Sequence, residues 1–143
     1  MINYYYTLLT FSVLLLSLTH CQRANFQPEE IDQDYITFGK GGGMANQVDT
    51  YYLLQNGRAY HHDKIAQEYT ALPRLKKAER SQVFTQAKEL PSAVFGYQEP
   101  GNIYYFLTVH TDTVRQSTWG SNDFTPAEEL TTYYEYLQQL TTN

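Results

Sequence analysis

Apolar residues follow three rhythms along this chain, and each predicts a different kind of segment. Residues 8–18, "LLTFSVLLLSL", form an apolar run without charge. The run is too short to cross a bilayer, which takes about 20 apolar residues, and at the extreme N-terminus it reads as the core of a secretory signal over residues 1–20. Residues 22–33, "QRANFQPEEIDQ", are polar, acidic and without period. Residues 21–33 are therefore expected to be a flexible tether, and residues 34–143 a single folded domain.

Within that domain the period shifts between two and three to four. Residues 34–38, "DYITF", favour a strand that the following glycines are expected to stop. Residues 47–54 and 58–62 alternate as strands and flank Asn56-Gly57, a strong hairpin signal because both residues tolerate positive φ. From 75 to 90 the spacing becomes helical: Leu75, Ala78, Val83, Ala87 and Leu90 make the stripe, Phe84 lies beside it, and Pro73 and Pro91 bracket the segment. "PGN" at 100–102 reads as a turn and "IYYFLTV" after it as a central strand, with "VRQSTW" returning beside it. A second helix follows, with Thr125 as N-cap, Pro126 at its first position and Glu128 completing a capping box. Ala127, Leu130, Tyr134, Leu137 and Leu140 form its stripe. The order strand, hairpin, helix, hairpin, helix predicts an α+β fold: a small, mostly antiparallel sheet of about five strands with two packed helices.

Charge and cysteine content narrow the chemistry. All ten Lys and Arg and all fifteen Asp and Glu follow residue 20, so loss of the signal leaves the net charge at −5. No basic stripe exists, which argues against nucleic acid as a partner. Cys21 is the single cysteine, so neither an internal disulfide nor a cysteine-based metal cluster is available. Serines 81, 92, 117 and 121 lie in no nucleophile elbow, and the acidic pairs Glu29-Glu30 and Glu128-Glu129 fall in the tether and at a helix start. No catalytic residue and no cofactor is expected.

Three groups remain as candidate sites. The cluster Gly39, Lys40, Gly41, Gly42, Gly43 and Met44 has neither the order of a phosphate-binding loop nor that of a dinucleotide fingerprint. It reads as a strand connection or a recognition loop with Met44 as its adaptable tip. His61 with Asp63, and His110 with Asp112, share a spacing that suits metal ligation if their segments are neighbours. Tyr51-Tyr52 and Tyr104-Tyr105 each place one ring on either face of a strand. The outward rings, Tyr105 among them, are expected to join Tyr133, Tyr136 and Trp119 in an aromatic surface for a glycan or a protein.

Resemblances add an address. Leu18-Thr19-His20-Cys21 resembles the lipobox of bacterial lipoproteins, with His20 where a small residue is usual. That resemblance implies cleavage before Cys21 and acylation of its thiol and new amino group, a firm membrane anchor. The patterns "FGKGGG", "YYLLQNGRAY", "PGNIYYFL" and "TWG" resemble small uncharacterised lipoproteins of Gram-negative bacteria, and Gln22 after the cysteine resembles an outer-membrane rather than inner-membrane sorting signal. Ile36, Thr37, Phe38, Gly42 and Gly43, with Met44 in place of the usual aromatic, resemble emfourin-type inhibitors of thermolysin-like metalloproteases, from which the Asn-Gly hairpin departs. Together these imply a lipid-anchored envelope protein that binds without catalysis. Its expected partner is a metalloprotease, or else a glycan such as peptidoglycan, or a metal held by the His-Asp pairs.

Overall fold

The computed structural model describes residues 26–142; Cys21 and the expected signal segment lie outside the described residues. The chain forms β1 (Tyr35–Gly42), β2 (Gln47–Leu54), β3 (Ala59–Asp63), β4 (Glu68–Leu72), α1 (Lys77–Glu89), β5 (Gln98–Glu99), β6 (Ile103–His110), β7 (Val114–Trp119) and α2 (Glu128–Thr142). The strands make one sheet in the order β4-β3-β2-β1-β6-β7-β5, antiparallel throughout except for β5 beside β7. This is the expected α+β class, with a seven-stranded mixed sheet instead of about five mostly antiparallel strands. The two additional strands are a short, largely exposed edge strand, β4, and the two-residue β5. β5 is too short to display a period, and β4 buries none of its residues fully, so it carries no apolar stripe.

Asn56-Gly57 turns β2 into β3 as its local chemistry demands. Gly57 has φ +87°, and the Asn56 side-chain oxygen accepts the Arg58 N–H at 2.9 Å. The same turn receives the lead-in to α1, since the Leu75 N–H donates to the Gly57 carbonyl at 3.0 Å. The helix therefore starts at Lys77, after Leu75 rather than with it, and Glu79 accepts the Lys76 N–H at 2.8 Å. α2 likewise starts later than its sequence signal, at Glu128, with the N–H groups of Leu130 and Thr131 closing onto the Ala127 carbonyl.

Both helices contribute to the core against one face of the sheet. Ile36, Phe38, Leu53, Leu107 and Val109 are fully buried beneath Val83, Phe84 and Ala87 of α1 and Leu130, Tyr134 and Leu137 of α2. Full burial of each large side chain stabilises the fold by about 1.5–3 kcal/mol. Two stripe assignments change. Ala78 is exposed, whereas Tyr133 is buried and donates its hydroxyl to the Val83 carbonyl at 2.9 Å, joining α2 to α1. Arg115 from β7 closes the C-terminal end of α1, donating to the carbonyls of Ala87 at 2.7 Å and Leu90 at 3.3 Å. Among the described residues no helix is long and apolar enough to cross a membrane.

Candidate functional site

Side chains alternate across a strand, so the face that lacks the helices is also defined by register. Tyr35, Thr37, Gly39 and Gly41 of β1 point there. Opposite them lie Leu54, Tyr52, Thr50 and Val48 of β2, and His110, Thr108, Phe106 and Tyr104 of β6. Tyr60 and His62 of β3, Tyr69 of β4, and Gln116 and Thr118 of β7 continue the same face. The result is an aromatic and hydroxyl-bearing platform. Its rings are all partly exposed, and its strand positions carry no Asp, Glu, Lys or Arg among the described residues.

The rings fall into three groups. Tyr52, Tyr60 and Tyr69 receive Phe26, which stacks on Tyr60 at 3.9 Å between ring centroids and meets the other two edge-on at 5.2 and 5.3 Å. Desolvation and the neighbouring Tyr69 push the Tyr52 hydroxyl pKa well above its ordinary value. The described part of the expected tether, residues 26–33, thus lies against the domain. Its far end is held where the Gln33 side chain accepts the Asn56 N–H at 2.8 Å. Tyr35 and His110 stack at 4.0 Å, and burial lowers the His110 pKa. Tyr104 and Phe106 lie side by side with centroids 6.4 Å apart.

This third pair explains the glycines. A β-carbon on Gly39 would come within 2.9 Å of the Phe106 ring and collide with the Asp49 carbonyl; one on Gly41 would come within 2.5 Å of the Tyr104 ring. The two rings lie across bare backbone, so β1 continues through the glycines instead of ending at them. Gly39, Lys40, Gly41 and Gly42 therefore belong to a central strand, and the expected recognition loop shrinks to Gly43, Met44, Ala45 and Asn46. The Gly43 N–H donates to the Asn102 carbonyl at 2.8 Å, and Met44, 108% exposed, stands at the tip.

Tyr105 and Trp119 point to the covered face, where they stack on each other at 6.1 Å. Trp119 is 6% exposed and meets the Tyr134 ring edge-on at 5.3 Å. Of the expected aromatic surface of Tyr105, Trp119, Tyr133 and Tyr136, Trp119 and Tyr133 are core, and Tyr105 and Tyr136 are partly buried at its margin. The larger set of partly exposed rings sharing one face lies on the other side of the sheet.

The two His-Asp pairs do not meet. β2 and β1 lie between β3 and β6, and His61 points to the helix side while His110 points away from it. His61 Nε2 lies 3.2 Å from Asp49 Oδ1, and Asp63 accepts the N–H groups of Ile65 and Ala66 to shape the β3–β4 turn. Those backbone hydrogen bonds hold the Asp63 carboxyl below its ordinary pKa. Asp112 is exposed in the β6–β7 turn. Among the described residues no group of three or more His, Cys, Asp or Glu side chains could hold a metal.

No protein-family model matches this chain, and no curated protein is similar to it. The platform's sequence signal is an aromatic, histidine or threonine at every second position, as in Tyr104, Phe106, Thr108 and His110. Alternation marks these residues as sharing a face. It does not say which face the helices cover.

Proposed function

We propose that this is a lipid-anchored, non-catalytic binding domain of the Gram-negative cell envelope, held by acylated Cys21 and sorted to the outer membrane. Its ligand is an envelope glycan such as peptidoglycan. The observation that carries this reading is the uncharged aromatic platform on the open face of the sheet. Flat rings offer stacking surfaces to the C–H faces of sugars, and Thr37, Thr50, Thr108 and Gln116 supply neutral hydrogen-bonding groups between them. The strand positions of the platform offer no charge to a basic or acidic ligand; the nearest acid is Glu29 of the overlying segment, beside Tyr52.

Tyr104 and Phe106, like the Tyr35–His110 stack, belong to the part of the platform that Phe26 does not touch. The test is co-sedimentation of the mature protein with isolated peptidoglycan, together with binding to a glycan array. Replacing both rings by leucine keeps the glycines covered but removes the flat surfaces, and is expected to weaken binding about tenfold. Retained Trp119 fluorescence serves as the control for folding. If the wild-type protein retains no glycan, the reading fails.

The inhibitor reading has a narrower basis, since only Gly43–Asn46 and Met44 are left to enter a protease cleft. The expected outcome is no inhibition of a panel of secreted metalloproteases by the mature protein.

A further inference from the structure

Among the described residues four large apolar side chains are strongly exposed, and three share one end of the sheet. Met44 (108%) is in the β1–β2 turn, Ile65 (61%) in the β3–β4 turn, and Ile103 (46%) opens β6. Register places them together: Gly42 faces both Gln47 and Ile103, and Asp49 faces Asp63. The fourth, Val114, lies at the opposite end, across from His110. Two connecting segments at the apolar end are nearly uncharged, whereas the segment after β7 brings the exposed Asp123 near Ile103. Residues 43–46 carry no charge and residues 64–67 only Lys64.

Phe26 limits how far the bilayer can lie from the domain. It is fixed on Tyr60, and Cys21 lies five residues before it. Five residues span at most about 18 Å. If Cys21 is acylated, as proposed above, the lipid surface must come within that distance of Phe26. From Tyr60 to the start of the β3–β4 turn at Asp63 is about 10 Å at the rise of a strand, well inside the leash. The Asn56-Gly57 turn at the opposite end is equally near Tyr60, so the exposed apolar side chains, and not the leash, distinguish the ends. Val114, the exposed apolar residue at that end, is on β7, four strands from β3 and so about 19 Å to the side.

We infer that the rim formed by Met44, Ile65 and Ile103 rests in the headgroup layer of the membrane to which Cys21 is anchored. The sheet then stands on the bilayer with its aromatic platform open to the side. Phe26 is the clamp that makes the leash short, and the partner is a lipid surface, not a protein cleft. This inference rests on the acylation of Cys21.

The experiment uses the full lipoprotein reconstituted into vesicles of phosphatidylethanolamine and phosphatidylglycerol containing spin-labelled quencher lipid. Cysteine is introduced by Met44→Cys, Ile65→Cys or Val114→Cys and labelled with a small fluorophore, while Cys21 is blocked by its acyl chain. Quenching is expected to be at least about twofold stronger at positions 44 and 65 than at 114, and Phe26→Ala is expected to reduce the contrast. Equal quenching at all three positions overturns the inference. So does shielding of position 44 by a bound protein without quenching by lipid. Radiolabelled palmitate is read on the same samples. Label present with equal quenching sinks the membrane seat alone, whereas label absent from Cys21 sinks the anchored reading and the seat with it.

Discussion

Gly39 and Gly41 sit in the centre of the sheet, where glycine normally weakens a strand because it has no side chain to pack. Here Phe106 and Tyr104 supply the missing cover from the neighbouring strand. The two positions differ in what a methyl group would meet. At Gly39 it strikes the Asp49 carbonyl, which the β1–β2 pairing holds in place, whereas at Gly41 it strikes the outer end of a tyrosine ring that can swing. Gly39→Ala is therefore expected to cost about 3 kcal/mol and Gly41→Ala closer to about 1 kcal/mol. Urea titration followed by the fluorescence of buried Trp119 measures both, and the reverse order would contradict the collision geometry.

At the scale of elements, two tyrosines fasten α2 in place. The Tyr133 hydroxyl donates to the Val83 carbonyl of α1, and the Tyr134 hydroxyl donates to the Gly39 carbonyl of β1 at 2.9 Å. Tyr133→Phe removes a buried hydrogen bond to the Val83 carbonyl, which keeps its place in the α1 ladder, and is expected to cost about 1 kcal/mol in the same titration. Burial raises the pKa of both hydroxyls above the ordinary value of 10.0. A raised pKa means that the folded state holds the proton more tightly than the unfolded state does. The stability these groups contribute is complete below about pH 10 and is lost as pH rises above it. Stability measured across that range should fall steeply in the wild type and less steeply in a Tyr133→Phe, Tyr134→Phe double variant. An unchanged slope would show that the two hydroxyls do not control the transition.

Over the whole molecule the fold is two layers, one face of the sheet sealed by helices and the other left as an aromatic platform. The described N-terminal segment, residues 26–33, lies on that platform with Phe26 among Tyr52, Tyr60 and Tyr69. Phe26→Ala removes one stacked and two edge-on ring contacts and is expected to lower stability by about 1 kcal/mol. Hydrogen exchange should then accelerate in residues 27–33 while the protection of β1 and β6 persists. Protection retained in residues 27–33 would mean that the Gln33–Asn56 contact alone holds the segment.

The sequence by itself determined what depends on neighbours along the chain. Asn56-Gly57 defined its hairpin through local φ preferences, and the spacing of Val83, Phe84 and Ala87 and of Leu130, Tyr134 and Leu137 defined two helices. Alternation around Tyr51-Tyr52 and Tyr104-Tyr105 separated the rings onto two faces. Tertiary structure decided which face was covered, and with it the site: Trp119 is buried against α2 with Tyr105 at the core margin, while Tyr52, Tyr104 and Phe106 share the face without helices. It also drew the glycines into β1, because rings from β6, more than sixty residues later in the chain, fill the space above them. It added β4 and β5, which pair only because a neighbouring strand is already in place. The physical reason is that a period of two encodes alternation without encoding a side. Only the docking of the helices turns one side into core and leaves the other as surface.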